Sequence, residues 1–101
     1  MQSRLERIKE LQDRTKRFAV AVVRFFSRLP KTEAASVIGR QLLRAGTSVA
    51  ANYRSACRAR SAADFISKIS IVLEETDETL FWLELLVDAD YRISIDIETQ
   101  R

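Results

Sequence analysis

The segment that decides the fold is residues 33–58, EAASVIGRQLLRAGTSVAANYRSACR. Its apolar and small residues recur every three or four positions, which is the spacing of one side of an α-helix. Thr32, just before the segment, is a suitable N-cap, so a helix over residues 33–58 is predicted. The side predicted to face the core consists of Ile38, Leu42, Ala45, Val49 and Ala56, with Asn52 on the same line.

The two glycines of the chain, Gly39 and Gly46, both fall inside this helix, seven residues apart. Each interior glycine costs about 1 kcal/mol of helix stability relative to alanine. A close approach of another helix would offset that cost, so this helix is predicted to pack tightly against a neighbour. Asn52 is expected to bond its amide to a neighbouring helix, because a buried unpaired amide is costly.

Helical spacing continues on both sides of this segment. Residues 3–29 form a predicted first helix that ends before Pro30, which disfavours helical geometry at the preceding residue. Residues 62–87 form a third, opened by Ser61–Asp64, which resembles a capping box with Asp in place of Glu. The predicted core stripe of the first helix is Leu11, Thr15, Phe18, Val22, Phe25, Phe26 and Leu29. That of the third is Phe65, Ile69, Val72, Leu73, Thr76, Leu80, Leu83 and Val87.

The end of the chain is predicted to begin a fourth helix over residues 94–101, since Asp96 and Glu98 suit a first helical turn. The alternation of Ile93, Ile95 and Ile97 could also be read as a strand, but three long helices leave no sheet for it to join. Short connections favour antiparallel neighbours. The predicted fold is therefore all-α, one domain over residues 1–101: an antiparallel up-and-down four-helix bundle with a short or truncated fourth helix.

The composition argues against an enzyme. One cysteine and no histidine rule out an internal disulfide and remove the usual ligands of zinc and di-iron sites. A nucleophilic Cys57 would need a base, and a cysteine on a helix flank is more often a small packing residue. Because the glycines lie in mid-helix, there is no phosphate-binding glycine loop. We expect no catalytic residues, no metal and no cofactor.

The longest uncharged apolar run, FAVAVV at residues 18–23, is far shorter than the roughly 20 residues that cross a bilayer. The charged N-terminus MQSRLERIKELQDR does not resemble a targeting peptide. We expect no membrane anchor and a cytoplasmic location.

Several apolar residues lie off the predicted core stripes of the first and third helices. A second apolar face on a small protein usually marks a partner surface, and aromatic residues carry much of the energy of such interfaces. We therefore predict a homo-oligomer. Its predicted interface residues are Val20, Val23, Ile71, Phe81, Trp82 and Leu85.

The charges are distributed unevenly: residues 1–60 carry 14 Lys/Arg against 4 Asp/Glu, whereas residues 61–101 carry 3 against 10. Arginine suits bidentate contact with phosphate, so nucleic-acid backbone is one candidate partner. The predicted contact residues are Arg7, Arg14, Arg17, Arg24, Arg28, Arg40, Arg44, Arg54, Arg58 and Arg60. The alternative is an interaction scaffold whose arginines pair, within or between subunits, with the acidic flank Glu74, Asp77, Glu84 and Asp88.

Residues 40–91 resemble the four-helix bundle protein family, also known as the ribosomal-RNA intervening-sequence protein family. The resemblance rests on a Ser-x-x-x-Asn segment in a basic helix, an Arg and a Ser before a Phe, and a Glu- and Leu-rich third helix. The matching positions are Ser48, Asn52, Arg58, Ser61, Phe65, Glu78 and Glu84.

The resemblance implies an antiparallel four-helix subunit that assembles into a ring-like homopentamer. Family members are encoded inside intervening sequences of bacterial large-subunit ribosomal RNA genes. A related branch serves the reverse transcriptase of diversity-generating retroelements as an accessory protein. The leading hypothesis is a non-enzymatic homo-oligomeric adaptor that contacts RNA or DNA backbone through its first two helices, with a reverse transcriptase as a candidate partner.

Overall fold

The computed structural model describes residues 2–89, which form three α-helices. Their bounds are α1, Arg4–Ser27, α2, Glu33–Ala56, and α3, Ala62–Asp88. The helix ends lie within two residues of those expected for these three segments. The predicted fourth helix, residues 94–101, lies outside the described residues.

The N-caps predicted for the second and third helices are confirmed. The Thr32 hydroxyl accepts a hydrogen bond from the backbone N–H of Ala35 at 3.2 Å. The Ser61 hydroxyl accepts one from the N–H of Asp64 at 3.0 Å. The Asp64 carboxylate reaches one residue beyond the cap and accepts from the N–H of Arg60 at 3.2 Å. The side chains of Ser61 and Asp64 therefore fix the turn between α2 and α3.

The prediction of a four-helix bundle is wrong for the part of the chain that the structure describes. α2 lies in the middle, α1 and α3 each pack against it, and the backbones of α1 and α3 do not approach each other within residues 2–89. The three helices form an open layer instead of a closed bundle. The physical reason is that α2 alone holds the other two helices, and residues 2–89 supply no fourth helix to close the side left open between them.

The two glycines form the flank of α2 that receives α1, which confirms the predicted close helix approach. Gly46 lies against Val22, and Gly39 lies against Leu29 and Phe26. Later residues of α1 meet earlier residues of α2, so the two helices run antiparallel. The absence of a side chain at each glycine lets α1 come close enough for Val22 and Leu29 to be buried.

The core is small and is centred on α2. Leu42 is fully buried and clusters with Val22 and Leu29 from the α1 side and with Leu86 of α3. The buried line along α2 repeats every seven residues, as expected for a helix that packs along its length. It consists of Ala35, Leu42, Val49 and Ala56.

The face that α3 turns toward α2 differs from the predicted stripe. The residues fully buried there are Thr79 and Leu86, neither of which belongs to the predicted stripe. Thr79 is accommodated because its hydroxyl donates to the Glu75 carbonyl in its own helix at 2.7 Å. Members of the predicted stripe that are exposed instead are Phe65, Leu73, Leu80 and Val87.

The predicted stripe of α1 is only partly buried. Val22 and Leu29 lie in the core, with Phe25 and Phe26 packed against it. Leu11 and Phe18 are exposed, because no described helix covers that side of α1. The expectation that one stripe would be covered along its whole length assumed a closed bundle.

We expect the substitution Gly46→Ala to destabilise the protein. A Cβ at Gly46 would lie 2.8 Å from both Cγ atoms of Val22, whose branched side chain has little freedom to move. Such overpacking costs about 1–3 kcal/mol, and because Val22 cannot easily shift, the cost at Gly46 should exceed the gain of about 1 kcal/mol in helix propensity. Urea denaturation measures the change in the free energy of unfolding.

The matched control is Gly39→Ala, where the nearest atom, Leu29 Cδ1 at 2.7 Å, ends a more flexible side chain and can shift. The loss should be smaller there. Adding Val22→Ala to Gly46→Ala should recover part of the stability lost at Gly46. A Gly46→Ala protein as stable as the parent would contradict the close packing.

Candidate nucleic-acid interface

All ten arginines predicted to contact nucleic acid are exposed. On α2 they occupy the side of the helix opposite the buried Leu42, at about 100° per residue. This group, called the α2 basic face below, consists of Arg40, Arg44 and Arg54 on the helix and Arg58, two residues past its end at Ala56. Arg60 follows in the turn before α3.

The arginines of α1 do not share that surface. Arg17, Arg24 and Arg28 lie on the side of the helix away from the buried Val22, by the same count of about 100° per residue. They therefore form the outer edge of the three-helix layer. Arg7 and Arg14 lie between that edge and the exposed apolar residues of α1. The structure thus divides the predicted arginines between two surfaces.

Arg44 differs from the other arginines of the α2 basic face because it is ion-paired across to α3. Its Nη1 lies 3.4 Å from Glu75 Oε1, and its Nη2 contacts Glu78 Oε1. The indole N–H of Trp82 donates to the same Glu78 oxygen at 3.1 Å. Glu78 therefore joins Arg44 to a residue that packs against the core.

Within residues 2–89, none of the other nine arginines is ion-paired with a carboxylate; the remaining pairs are Lys9–Asp13 and Lys68–Asp64, each within one helix. The acidic flank predicted as a pairing partner, including Asp77 and Glu84, is exposed on α3. Three arginines of the α2 basic face, Arg40, Arg54 and Arg58, are thus exposed and form no ion pair with any carboxylate of residues 2–89.

The residues predicted to form an oligomer interface fall into two groups. Val20, Val23, Ile71 and Phe81 are exposed. Trp82 and Leu85 are half-buried. Trp82 packs against the core, and its ring and that of Phe81 form a T-shaped pair with 4.9 Å between ring centroids. The first group is available to a partner, while Trp82 stabilises the subunit itself.

Asn52 satisfies its amide in a different way from the one predicted. Its Nδ2 donates to the carbonyl oxygen of Ser48 at 2.9 Å and to the Ser48 hydroxyl at 2.8 Å. Both bonds lie within α2, so the expected bond to a neighbouring helix is wrong. The spacing of four residues places Ser48 and Asn52 on adjacent turns, which is the physical reason for the Ser-x-x-x-Asn segment.

A cavity of about 690 Å³ lies where the start of α1, the end of α2 and the start of α3 meet, with Ile8, Tyr53 and Phe65 in its lining. Burial and then a hydrogen bond to the half-buried Cys57 raise the pKa of Tyr53 to about 12. A raised pKa keeps this phenol protonated, so it does not act as a base at neutral pH. Residues 2–89 contain no group of three or more side chains suited to holding a metal ion.

The described helices are all too short or too polar to cross a membrane.

The fold and the exposed residues together define the class of protein: a small all-helical layer with one exposed arginine face and two exposed outer edges.

The chain belongs to the 23S rRNA-intervening sequence protein family, which it matches over residues 9–99. This confirms the family resemblance and extends it to most of α1. A crystal structure of a protein of unknown function from the S23 ribosomal protein family of Bacteroides thetaiotaomicron is similar, with 39% identity and a TM-score of 0.79. The similarity covers 91% of this chain and 82% of the other. Among curated proteins, none matches.

The ion pair between Arg44 and Glu78 should contribute modestly to stability. Half of the Arg44 side chain is exposed, at 51%, so solvent screening limits the coupling free energy to about 0.5–1 kcal/mol. A double-mutant cycle with Arg44→Ala and Glu78→Ala, followed by urea denaturation, measures it. The matched cycle of Arg54→Ala with Glu78→Ala should show no coupling, and equal coupling in both cycles would contradict the assigned pair.

Tyr53 should lose its phenolic proton at a higher pH than an ordinary tyrosine. In a Tyr91→Phe protein Tyr53 is the single tyrosine, and its phenolate absorbance should rise with a midpoint near pH 12, as the raised pKa requires. Cys57→Ala should lower the midpoint only in part, because burial is the larger cause. In the unfolded chain the Tyr53 phenol ionises near pH 10. The stability contributed by the neutral, buried phenol is therefore fully present below pH 10 and is lost as the pH rises toward 12. A midpoint near pH 10 would exclude the described environment.

Proposed function

We propose that this protein is a non-enzymatic, homo-oligomeric helical adaptor that contacts nucleic-acid backbone through the arginines of its first two helices. The observation that carries the proposal is the α2 basic face, where Arg40, Arg54 and Arg58 are exposed and have no carboxylate partner within residues 2–89. Guanidinium groups in this situation are available for bidentate contacts with phosphate.

The residues between these arginines support backbone contact. Thr47, Ala51 and Ser55 lie on the same side of α2 and are small, so a phosphate backbone can approach the helix closely. The one aromatic residue of α2, Tyr53, lies on the core side and is half-buried. Single-strand binders stack bases on aromatic side chains, so this face suits contact with the shape and charge of a folded or duplex nucleic acid.

Structured RNA is the first ligand to test, because the family takes its name from an intervening sequence in 23S rRNA. Duplex DNA is the second. The resemblance to accessory proteins of diversity-generating retroelements adds a reverse transcriptase as the protein partner to test.

Assembly into a homo-oligomer, a pentamer by resemblance to the family, would strengthen such binding. One α2 basic face offers few phosphate contacts, and several copies held together bind a long nucleic acid with higher avidity. The exposed apolar residues Val20, Val23, Ile71 and Phe81 support assembly, since monomers rarely leave such patches uncovered.

The second candidate function is a protein-interaction scaffold that does not bind nucleic acid. The observation in its favour is that Arg44, one of the ten predicted arginines, already pairs with Glu75 and Glu78. This function requires the remaining arginines to form ion pairs with carboxylates of other subunits.

The test compares the affinity of the full chain for a structured RNA and for duplex DNA over a series of salt concentrations. The variant Arg54→Gln/Arg58→Gln removes two phosphate contacts, so the slope of log K against log salt should fall by about 2. The affinity should fall about 10- to 100-fold at low salt, since each such contact contributes roughly 1 kcal/mol.

The matched control is Lys9→Gln/Lys68→Gln, which removes the same charge from lysines that pair within their own helices. It should bind nearly as the parent does. No salt-dependent binding by the parent at micromolar protein would exclude nucleic-acid binding and favour the scaffold. Equal losses in both variants would show that only net charge matters and would exclude the α2 basic face as the contact surface.

A further inference from the structure

The two outer helices of the layer carry opposite charges that form no ion pair with each other within residues 2–89. Residues 14–28, from the middle of α1 to its C-cap, contain five Lys/Arg and no Asp/Glu. Residues 69–89, in α3, contain six Asp/Glu and no Lys/Arg. α2 lies between the two helices, and their backbones do not approach each other. Only Arg44 of α2 reaches the α3 carboxylates within residues 2–89.

The outer side of α3 has a regular pattern. Its residues recur at spacings of three and four and lie opposite the buried Thr79, at about 100° per residue. All five are exposed, and the aromatic ring of Phe81 stands at the centre of four carboxylates. This acidic edge consists of Glu74, Asp77, Phe81, Glu84 and Asp88.

The outer side of α1 has the complementary pattern. Its residues also recur at spacings of three and four and lie opposite the buried Val22, and all are exposed. An apolar side chain, Val20, is flanked by arginines along the helix. This basic edge consists of Arg17, Val20, Arg24 and Arg28.

From this complementarity we infer that the acidic edge of one subunit docks against the basic edge of a second copy of this chain. The contact deepens the homo-oligomer of the proposed function and rests on it. Phe81 packs on Val20, and the surrounding arginines meet the carboxylates of the other copy. Since the two edges are different surfaces, the interface is head-to-tail, and each subunit keeps one free edge for the next copy.

The register of the two edges agrees with such an assembly. α1 and α3 both run antiparallel to α2, so they run parallel to each other, and their second halves lie at the same end of the layer. This is shown by Leu29 and Leu86, which share one core cluster. A rotation about an axis along the helices therefore brings the basic half of α1 level with the acidic half of α3. Repeated head-to-tail contacts of this kind form a ring when the rotation per subunit divides a full turn, whereas two acidic edges facing each other would repel.

Docking of this kind also gives the basic edge of α1 and the α2 basic face different roles. The arginines of the basic edge become interface residues, while the α2 basic face points away from both edges. The assembled protein would then present Arg40, Arg54 and Arg58 from every copy on the same side of each layer.

The experiment is a charge swap on the full chain, with mass measured by light scattering and helix content by circular dichroism. One variant is Arg17→Glu/Arg24→Glu, and the other is Asp77→Lys/Glu84→Lys. Neither touches the ion pairs of Arg44 or the core. Each variant alone should fall toward the 11.6 kDa of a single chain. Mixed in equal amounts, the two should form large species again, and a chain that carries all four substitutions should recover the parental mass.

The matched control is Arg54→Glu/Arg58→Glu, which makes the same change in charge on the α2 basic face and should leave the mass unchanged. A parental oligomer that survives both edge variants would overturn this interface and leave the homo-oligomer standing. Edge variants that fall apart and are rescued by neither combination would also overturn it. A parental protein that is itself monomeric would overturn the homo-oligomer of the proposed function as well.

The apolar part of the contact has its own readout. Phe81→Ser removes the exposed ring at the centre of the acidic edge without opening the core, since Phe81 is 52% exposed. The dissociation constant of the oligomer should rise at least 10-fold, because aromatic residues at the centre of an interface carry a large share of its binding energy. Phe65→Ser, which removes a ring that is 43% exposed at the start of α3 and outside the acidic edge, is the control. An oligomer weakened equally by both would place the contact elsewhere.

Discussion

The close packing of Val22 on Gly46 is the constraint on which the rest of the structure depends. With no side chain at the glycine, α1 lies directly on one flank of α2. That leaves the other flank of α2 to α3, whose Leu86 completes the cluster around Leu42. A bulkier residue at position 46 would push α1 outward and remove Val22 from the core. The cost of two glycines in mid-helix is thus offset by the burial that they allow.

An open layer has consequences for charge that a closed bundle would not have. Within residues 2–89 no cation of α1 pairs with a carboxylate of α3, and the arginines of the α2 basic face are also largely unpaired. Arg44 is the exception, since it lies on the side of α2 nearest to Glu75 and Glu78. The other charges remain on surfaces, where long-range attraction can guide partners of opposite sign. The same asymmetry thus favours both assembly and contact with a polyanion.

Several features of the structure could be predicted from short stretches of sequence. Thr32 and Ser61 marked helix starts because a cap acts within one turn, and Gly39 and Gly46 indicated close packing because their cost requires compensation. The inward face of α3 could not be read in this way. Thr79 is polar and looks like a surface residue, yet its hydroxyl is satisfied by its own helix. Leu80 looks like a core residue, yet no described helix covers it.

The sequence by itself determined the helical class, the bounds and caps of three helices, the tight packing of α2 and the family to which the chain belongs. These follow from periodicity, local hydrogen bonding and short motifs, all of which act over a few residues. Only the tertiary structure decided which helices are neighbours, that Arg44 pairs with Glu78, and that the remaining arginines divide between an outer edge and the α2 basic face. Those outcomes depend on which flank of α2 each helix occupies, and a local pattern holds no information about the partner across the interface.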